Sequence, residues 1–234
     1  MFNAWHRTIG EWLRVKRLAS LSSRYTPTFT DLKRRVRILV IDDDKNSFPI
    51  QELKKEGYAI DYWPKVVPGD LRKLEEGEFD IIILDIVGVA TKLSVHDGLG
   101  LLEHLKEYNP AQVIVAFSGQ SFSIDKSAFW KKADDTLQKP VDALKSKEVI
   151  DHLILEKLTI ENHLNSIRQL LLSNGIQPNV VNKIEKNILT SIQGKSVTSL
   201  DKIRKILSQY GDSAQRIIGI VDSAIRIYAN VRNN

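Results

Sequence analysis

The 234-residue chain contains no cysteine. Disulfides and thiolate metal sites are therefore excluded, and the absence is compatible with a reducing compartment. No apolar run approaches the ~20 residues a membrane-spanning helix needs. The N-terminus lacks the apolar core, about 7–15 residues long, of a secretory signal. These absences together lead us to expect a cytoplasmic protein. The five histidines, His6, His96, His104, His152 and His163, include no pair at the i, i+4 spacing that ligates a metal on one helix face. Strand-like runs are missing beyond about residue 142. What is present is ordinary for a globular protein: 42% hydrophobic and 27% charged residues.

The net charge of +5 is unevenly spread. Residues 1–35 carry a balance of +6, residues 36–145 of −5, and residues 146–234 of +4. The basic flanks, not the acidic middle, are the candidates for touching nucleic acid or an anionic membrane. The same boundaries serve as a domain division: an N-terminal helix and linker over 1–35, an α/β domain over 36–145, and a helical output or interaction domain over 146–234.

In the middle region, apolar β-branched runs at 37–42, 58–63, 80–86, 112–118 and 134–139 alternate with helix-like stretches at 48–56, 69–76, 98–108 and 124–132. Runs such as Ile81-Ile82-Ile83-Leu84 are apolar on every residue. They suit a parallel sheet covered on both faces. The spacing predicts a five-stranded doubly wound α/β domain. In such sheets ligands bind beyond the carboxyl ends of the strands. Asp42 and Asp43 end the first run, Asp85 the third, Ser118 the fourth and Lys139 the fifth. The expectation is a pocket of carboxylates, a hydroxyl and an ammonium at one sheet edge. Clustered, partly desolvated carboxylates repel, which raises their pKa values. A hard cation such as Mg2+, which favours oxygen ligands and is often held by one or two carboxylates plus a phosphate, relieves that repulsion. Such an ion stabilises charge on a transferring phosphoryl group, and an Asp beside it serves as nucleophile.

The segments "ILVIDDD", "IIILDI", "AFSG" and "ADDTLQKPV" resemble the receiver domain of two-component response regulators, over roughly 36–145. The resemblance implies a flavodoxin-like sheet of order 2-1-3-4-5 and self-phosphorylation and autodephosphorylation chemistry, not metabolic catalysis. It makes Asp85 the phosphoacceptor. Asp43, Asp85 and the backbone carbonyl of Val87 become direct Mg2+ ligands, and Asp42 acts mostly through water. Ser118 and Lys139 contact the phosphoryl group, and Lys139–Pro140 matches the family's cis peptide. The implied partner is a sensor histidine kinase or phosphotransfer protein. Asp44 is expected to be solvated or to favour a following helix N-terminus.

Two departures from the family stand out. Position 89 is Val where the family has proline, and Asp97-Gly98 lies about five residues later than usual, so the segment around 88–96 reads as an insertion beside the site. It brings His96 near the site in sequence. Thr136 replaces the aromatic residue that reports phosphorylation in the family. That replacement raises the alternative of a receiver-like binding module that works without phosphate.

The flanks are read from periodicity alone. Helical stripes run through Leu153, Ile160, Leu164, Ile167 and Leu171, through Val181, Ile184, Ile188 and Ile192, through Leu200, Ile203 and Leu207, and through Ile217, Val221, Ala224 and Tyr228. They predict a four-helix bundle, the first helix running on from the α/β domain, with Gly175, Gly194 and Gly211 as helix ends. Protein interaction or homodimerisation is the simplest role. The stretch 168–188 also has helix-turn-helix spacing, with Gln177, Asn179, Asn182, Lys183 and Lys186 as candidate DNA contacts. An N-terminal helix over 2–18 carries a Trp stripe and basic residues; packing against protein is favoured there over a membrane surface.

Overall fold

The computed structural model describes residues 27–119, 131–194 and 199–229. The expected helices at 2–18 and 124–132 therefore fall wholly or largely outside the described residues. The chain enters on helix α1 (Phe29–Arg35), in a stretch whose first residues read as linker in the sequence. Thr28 and Asp31 explain the difference: they form a capping box, with the Thr28 side chain accepting from the Asp31 N–H and Asp31 reaching back to the Thr28 N–H. Two otherwise orphaned amide donors are satisfied this way.

Five strands follow: β1 (Arg37–Ile41), β2 (Ala59–Trp63), β3 (Ile81–Asp85), β4 (Val113–Ser118) and β5 (Asp135–Gln138). All pair in parallel, in the order β2-β1-β3-β4-β5. The central runs are apolar on every residue because both faces are covered. Helices α2 (Ile50–Lys55) and α5 (Ala143–Glu156) pack with one face of the sheet, around Ile38, Val40, Ile81, Ile83 and Val115. Helices α3 (Pro68–Glu75) and α4 (Asp97–Tyr108) cover the other, around Leu39, Ile41, Ile82, Leu84 and Ile114.

Beyond the sheet come α6 (Ile160–Ser173), α7 (Pro178–Ile192), α8 (Ser199–Leu207), a 3-10 turn (Ser208–Tyr210) and α9 (Asp212–Tyr228). The stripe expected to unite Leu153 with Ile160–Leu171 is split between α5 and α6. Two caps cause the break. The Thr159 side chain accepts from the Asn162 N–H at 3.1 Å, while Asn162 Nδ2 donates to the carbonyls of Glu156 (2.9 Å) and Lys157 (3.1 Å). The three helix-ending glycines behave as expected: Gly175, Gly194 and Gly211 all have positive φ, where a side chain would be strained.

The helices from α6 onward share one continuous apolar core with the α2/α5 face of the sheet. Helix α9 also grips the sheet edge remote from the strand C-termini. Gly219 lies so close to the end of α3 that a Cβ there would overlap the Glu76 carbonyl. One turn on, Ser223 donates to Asp80 Oδ1, and Arg226 NH2 donates to both Asp80 oxygens at 2.8 and 2.9 Å. Asp80 also accepts from the Arg37 N–H at 2.7 Å, so this buried carboxylate is fully paired. Arg35 NH1 donates to the carbonyls of Ile227 (3.1 Å) and Ala229 (2.7 Å), and Arg226 NH1 returns a bond to the Arg35 carbonyl. Among the described residues no helix is long and apolar enough to cross a membrane.

Candidate functional site

The C-terminal ends of β1, β3 and β5 bring three acids and a lysine together. One carboxylate oxygen from each of Asp42, Asp43 and Asp85 lies within 4.8 Å of the others. Lys139 Nζ sits between two of them, 2.6 Å from Asp42 Oδ2 and 2.7 Å from Asp85 Oδ2. It lies 4.9 Å from the centroid of the Phe117 ring, whose π face favours a cation. Phe117 in turn meets Phe48 edge to face at 5.4 Å. The Lys139–Pro140 peptide is cis, and the Lys139 N–H donates to the Ser118 carbonyl at 3.0 Å, which ties the ends of β4 and β5 together.

The three acids of "DDD" have separate environments. Asp42 is fully buried, and its N–H continues the sheet ladder to the Trp63 carbonyl at 3.1 Å. Burial of a carboxylate is tolerable only when its oxygens are satisfied. Here Oδ1 accepts from the Asp44 N–H (2.9 Å), and Oδ2 accepts from Ser47 Oγ (2.6 Å) and Lys139 Nζ (2.6 Å). Asp43 is exposed. Its Oδ2 lies 2.9 Å from where a Cβ would stand on Gly88, and Gly88 has φ +83°, so glycine is required there twice over. Asp44 is exposed and accepts from the Asn46 N–H at 2.9 Å. It therefore closes a turn of the loop and does not cap α2, whose N-cap is Pro49.

Asp85 is buried at the end of β3. Its Oδ1 accepts from the Ile86 N–H at 2.7 Å, and Oδ2 accepts from Lys139. Burial pushes the Asp85 pKa above the usual carboxylate range; the Asp42 charge adds to this and Lys139 opposes it. Burial also disfavours the Lys139 cation, but Asp42 and Asp85 outweigh it and raise its pKa. The donor set fits a hard cation: every available ligand is an oxygen, and three carboxylates face one ammonium. Val87, two residues after Asp85, is half exposed, and Ser118 is buried at the end of β4.

The inserted segment is ordered. The Asp97 carboxylate accepts from the Gly88 N–H and, at 2.6 Å, from the Ala90 N–H. The Val89 carbonyl accepts from the Val66 N–H at 2.7 Å, and Val89 and Ala90 are buried. A Cβ on Gly98 would overlap the Asp85 carbonyl, so α4 begins in direct contact with the backbone of the acid. His96 is exposed. Thr136 is partly buried and pairs with Ala116 across β4 and β5.

Two residues of the pocket escape sequence reasoning. Ser47 lies in the loop after β1 and holds Asp42 Oδ2, as above. Tyr62 Oη donates to the Asp42 carbonyl at 2.6 Å. Burial, and then the charges of Asp42, Asp43 and Asp44, raise the Tyr62 pKa. The strand register carried a signal for Tyr62, since β2 runs parallel beside β1 and its last residues flank Asp42. Loop position gave none for Ser47.

The candidate DNA contacts Gln177, Asn179, Asn182, Lys183 and Lys186 are all exposed, at or near the start of α7. Two are engaged locally: Asn179 Oδ1 accepts from the Val180 N–H (2.9 Å), and Asn182 Oδ1 accepts from Arg168 NH1 (3.0 Å). His163 is buried, with Nδ1 3.3 Å from Tyr228 Oη and 3.2 Å from the Thr159 carbonyl. A histidine so enclosed is not presented to a phosphoryl donor.

A parallel sheet of order 2-1-3-4-5, with acids ending β1 and β3 and a lysine following β5, defines a receiver-type α/β fold. Solved structures similar to this chain are receiver domains. The CheY-like response regulator receiver domain protein of Methanospirillum hungatei JF-1 is 29% identical, over 52% of this chain and 95% of that one, with a TM-score of 0.44. The response regulator TrrA of Thermotoga maritima, solved with Mg(2+)-BeF, is 28% identical over 50% and 98% of the two chains, TM-score 0.41. The beryllofluoride-activated NtrC4 receiver domain dimer is 27% identical over 52% and 98%, TM-score 0.42. No family model and no curated protein matches the chain.

Proposed function

We propose that this protein is a phosphorylatable response regulator, with Asp85 as phosphoacceptor and the helices after α5 as its interaction module. The observation that carries this reading is the meeting of Asp42, Asp43, Asp85 and Lys139 at one edge of the sheet. The donor is a phosphohistidine on a sensor kinase or phosphotransfer protein. An Asp85 oxygen attacks the phosphorus, the P–N bond breaks and its electron pair leaves with the histidine. Lys139, already on Asp85, neutralises a phosphoryl oxygen, and the Ser118 hydroxyl donates to another. Asp43, Asp85 and the Val87 carbonyl would hold Mg2+, with Asp42 acting through water. When bound, the ion neutralises charge that builds on the phosphoryl oxygens. Hydrolysis of the acyl phosphate returns the carboxylate.

Intact-mass measurement after incubation with a small phosphodonor and Mg2+ tests the assignment. The expected result is one added phosphoryl group on the full chain and none on Asp85→Asn. An equal gain in the variant overturns it. The phosphate-independent alternative, motivated by Thr136, gains if phosphorylation changes neither hydrodynamic radius nor self-association.

A second reading, DNA binding, is favoured by one observation. Glu185, the single acid of α7, is buried against Arg168, with 3.1 Å between Oε2 and NH1. Lys183 and Lys186 thus project from a helix with no exposed acid. Retardation of random duplex that weakens as salt rises supports it, because phosphate contacts release counterions. No retardation at low salt rejects it.

A further inference from the structure

Asp42 is gripped on three oxygen atoms, and two of the side chains that grip it, Ser47 and Tyr62, play no part in the phosphoryl chemistry proposed above. Ser47 Oγ and Lys139 Nζ both bond Oδ2, at 2.6 Å each. The Asp44 N–H takes Oδ1 at 2.9 Å, and Tyr62 Oη takes the main-chain carbonyl at 2.6 Å. Oδ2 thus already carries two strong donors, and the carboxylate cannot swing without breaking several bonds at once. The carbonyl bond anchors the backbone from which that carboxylate projects. Ser47 and Tyr62 come from different elements, the loop before α2 and the end of β2. Both converge on one acid that solvent does not reach.

We infer that Ser47 and Tyr62 are positioning residues that preset Asp42 for the cation. Ser47 fixes the carboxylate and Tyr62 the peptide. The inference rests on the reading of the acid pocket as a Mg2+ site. Groups that hold a metal-binding carboxylate by hydrogen bonds typically change metal affinity by about 10–100-fold when removed. Asp42 acts on the ion through water and retains its bond to Lys139 in either variant, so the low end of that range applies.

The test is equilibrium Mg2+ binding to the full chain by titration calorimetry, without phosphodonor. Thermal midpoints are recorded in EDTA in parallel. Ser47→Ala is expected to weaken Mg2+ about tenfold. Ser47→Thr, which keeps the hydroxyl, restores parental binding. Tyr62→Phe keeps the ring and loses only the hydroxyl, and is expected to weaken binding in the same direction. A structural role alone would lower the midpoint in EDTA and leave the affinity of the folded protein unchanged. Unchanged Mg2+ affinity in both Ser47→Ala and Tyr62→Phe overturns the inference, whatever happens to their midpoints. Failure of the underlying reading looks different: the parent binds no Mg2+, or binds it equally well as Asp43→Asn and Asp85→Asn, and the inference then falls with it.

Discussion

At the scale of single residues, glycine is required where α4 meets the acid pocket. Gly98 shows this. A Cβ at that position would overlap the Asp85 carbonyl and crowd Ile86, both backbone, so no side-chain rotation relieves the clash. Gly98→Ala is expected to cost about 1–3 kcal/mol, the range for overpacking a rigid site. It should also shift Asp85, so that, with Asp85 as the phosphoacceptor proposed above, phosphorylation slows more than the stability loss explains. Chemical denaturation and phosphorylation kinetics measured side by side check this, and an unchanged phosphorylation rate would count against the contact. His163 supplies a pH dependence. Burial lowers its pKa below the ordinary value near 6.5; the Arg226 charge adds to this, while Asp80 and the bond to the Thr159 carbonyl oppose it. The unfolded chain then binds the proton more readily than the folded one. Stability is full above about pH 6.5 and falls as pH drops below it, by at most about 1.4 kcal/mol per pH unit, until the folded pKa is reached. His163→Gln should flatten that part of the pH–stability curve, and a slope identical to the parent would show that His163 is not its source.

Among elements, the deciding features are strand ends and helix caps. The five strands and the acid pocket were legible in the sequence for one reason: a parallel sheet covered on both faces leaves long apolar runs, and their ends point one way. Asp42, Asp43, Asp85 and Lys139 could be placed together without coordinates. Ser47 could not, because its position depends on how the loop from Asp42 to Pro49 folds back, and no periodicity constrains a loop. Helix α1 was hidden by a segment rich in Ser and Thr, although Thr28 and Asp31 stand at capping-box spacing. The continuity expected across 153–171 failed because apolar spacing does not register a break when Thr159 and Asn162 cap both sides of it. Helix α9 carries its own prediction. Arg226→Met would leave Asp80 buried with Ser223 and the Arg37 N–H but without its cation. Removing one partner of a buried pair typically costs about 3–5 kcal/mol, whereas Arg226→Met with Asp80→Asn together should recover part of it. Urea unfolding of the two single variants and the double variant gives the coupling; additive losses would mean the pair is not a pair in solution.

For the whole molecule, the continuous core sets how a signal at the acid pocket can reach the helices after α5. Those helices pack with the α2/α5 face of the sheet, the face that also holds Phe48 and Phe117 beneath Lys139. Thr136 pairs with Ala116, which belongs to the opposite apolar cluster. The position where the family's reporter ring would stand therefore faces away from the helices, and the aromatic pair that faces them is already buried. A core shared in this way should open as one unit. Amide exchange measures this directly, since subglobal opening gives different free energies to different segments. Ile217, Val221 and Ala224 of α9 and Ile82 and Ile83 of β3 are all buried, and their amides are expected to exchange with one common free energy. Arg226→Met should lower that value for both sets together. If α9 exchanged several kcal/mol more easily than β3 in the parent, the helices would be a separate body resting on the sheet, and coupling through the common core would be excluded.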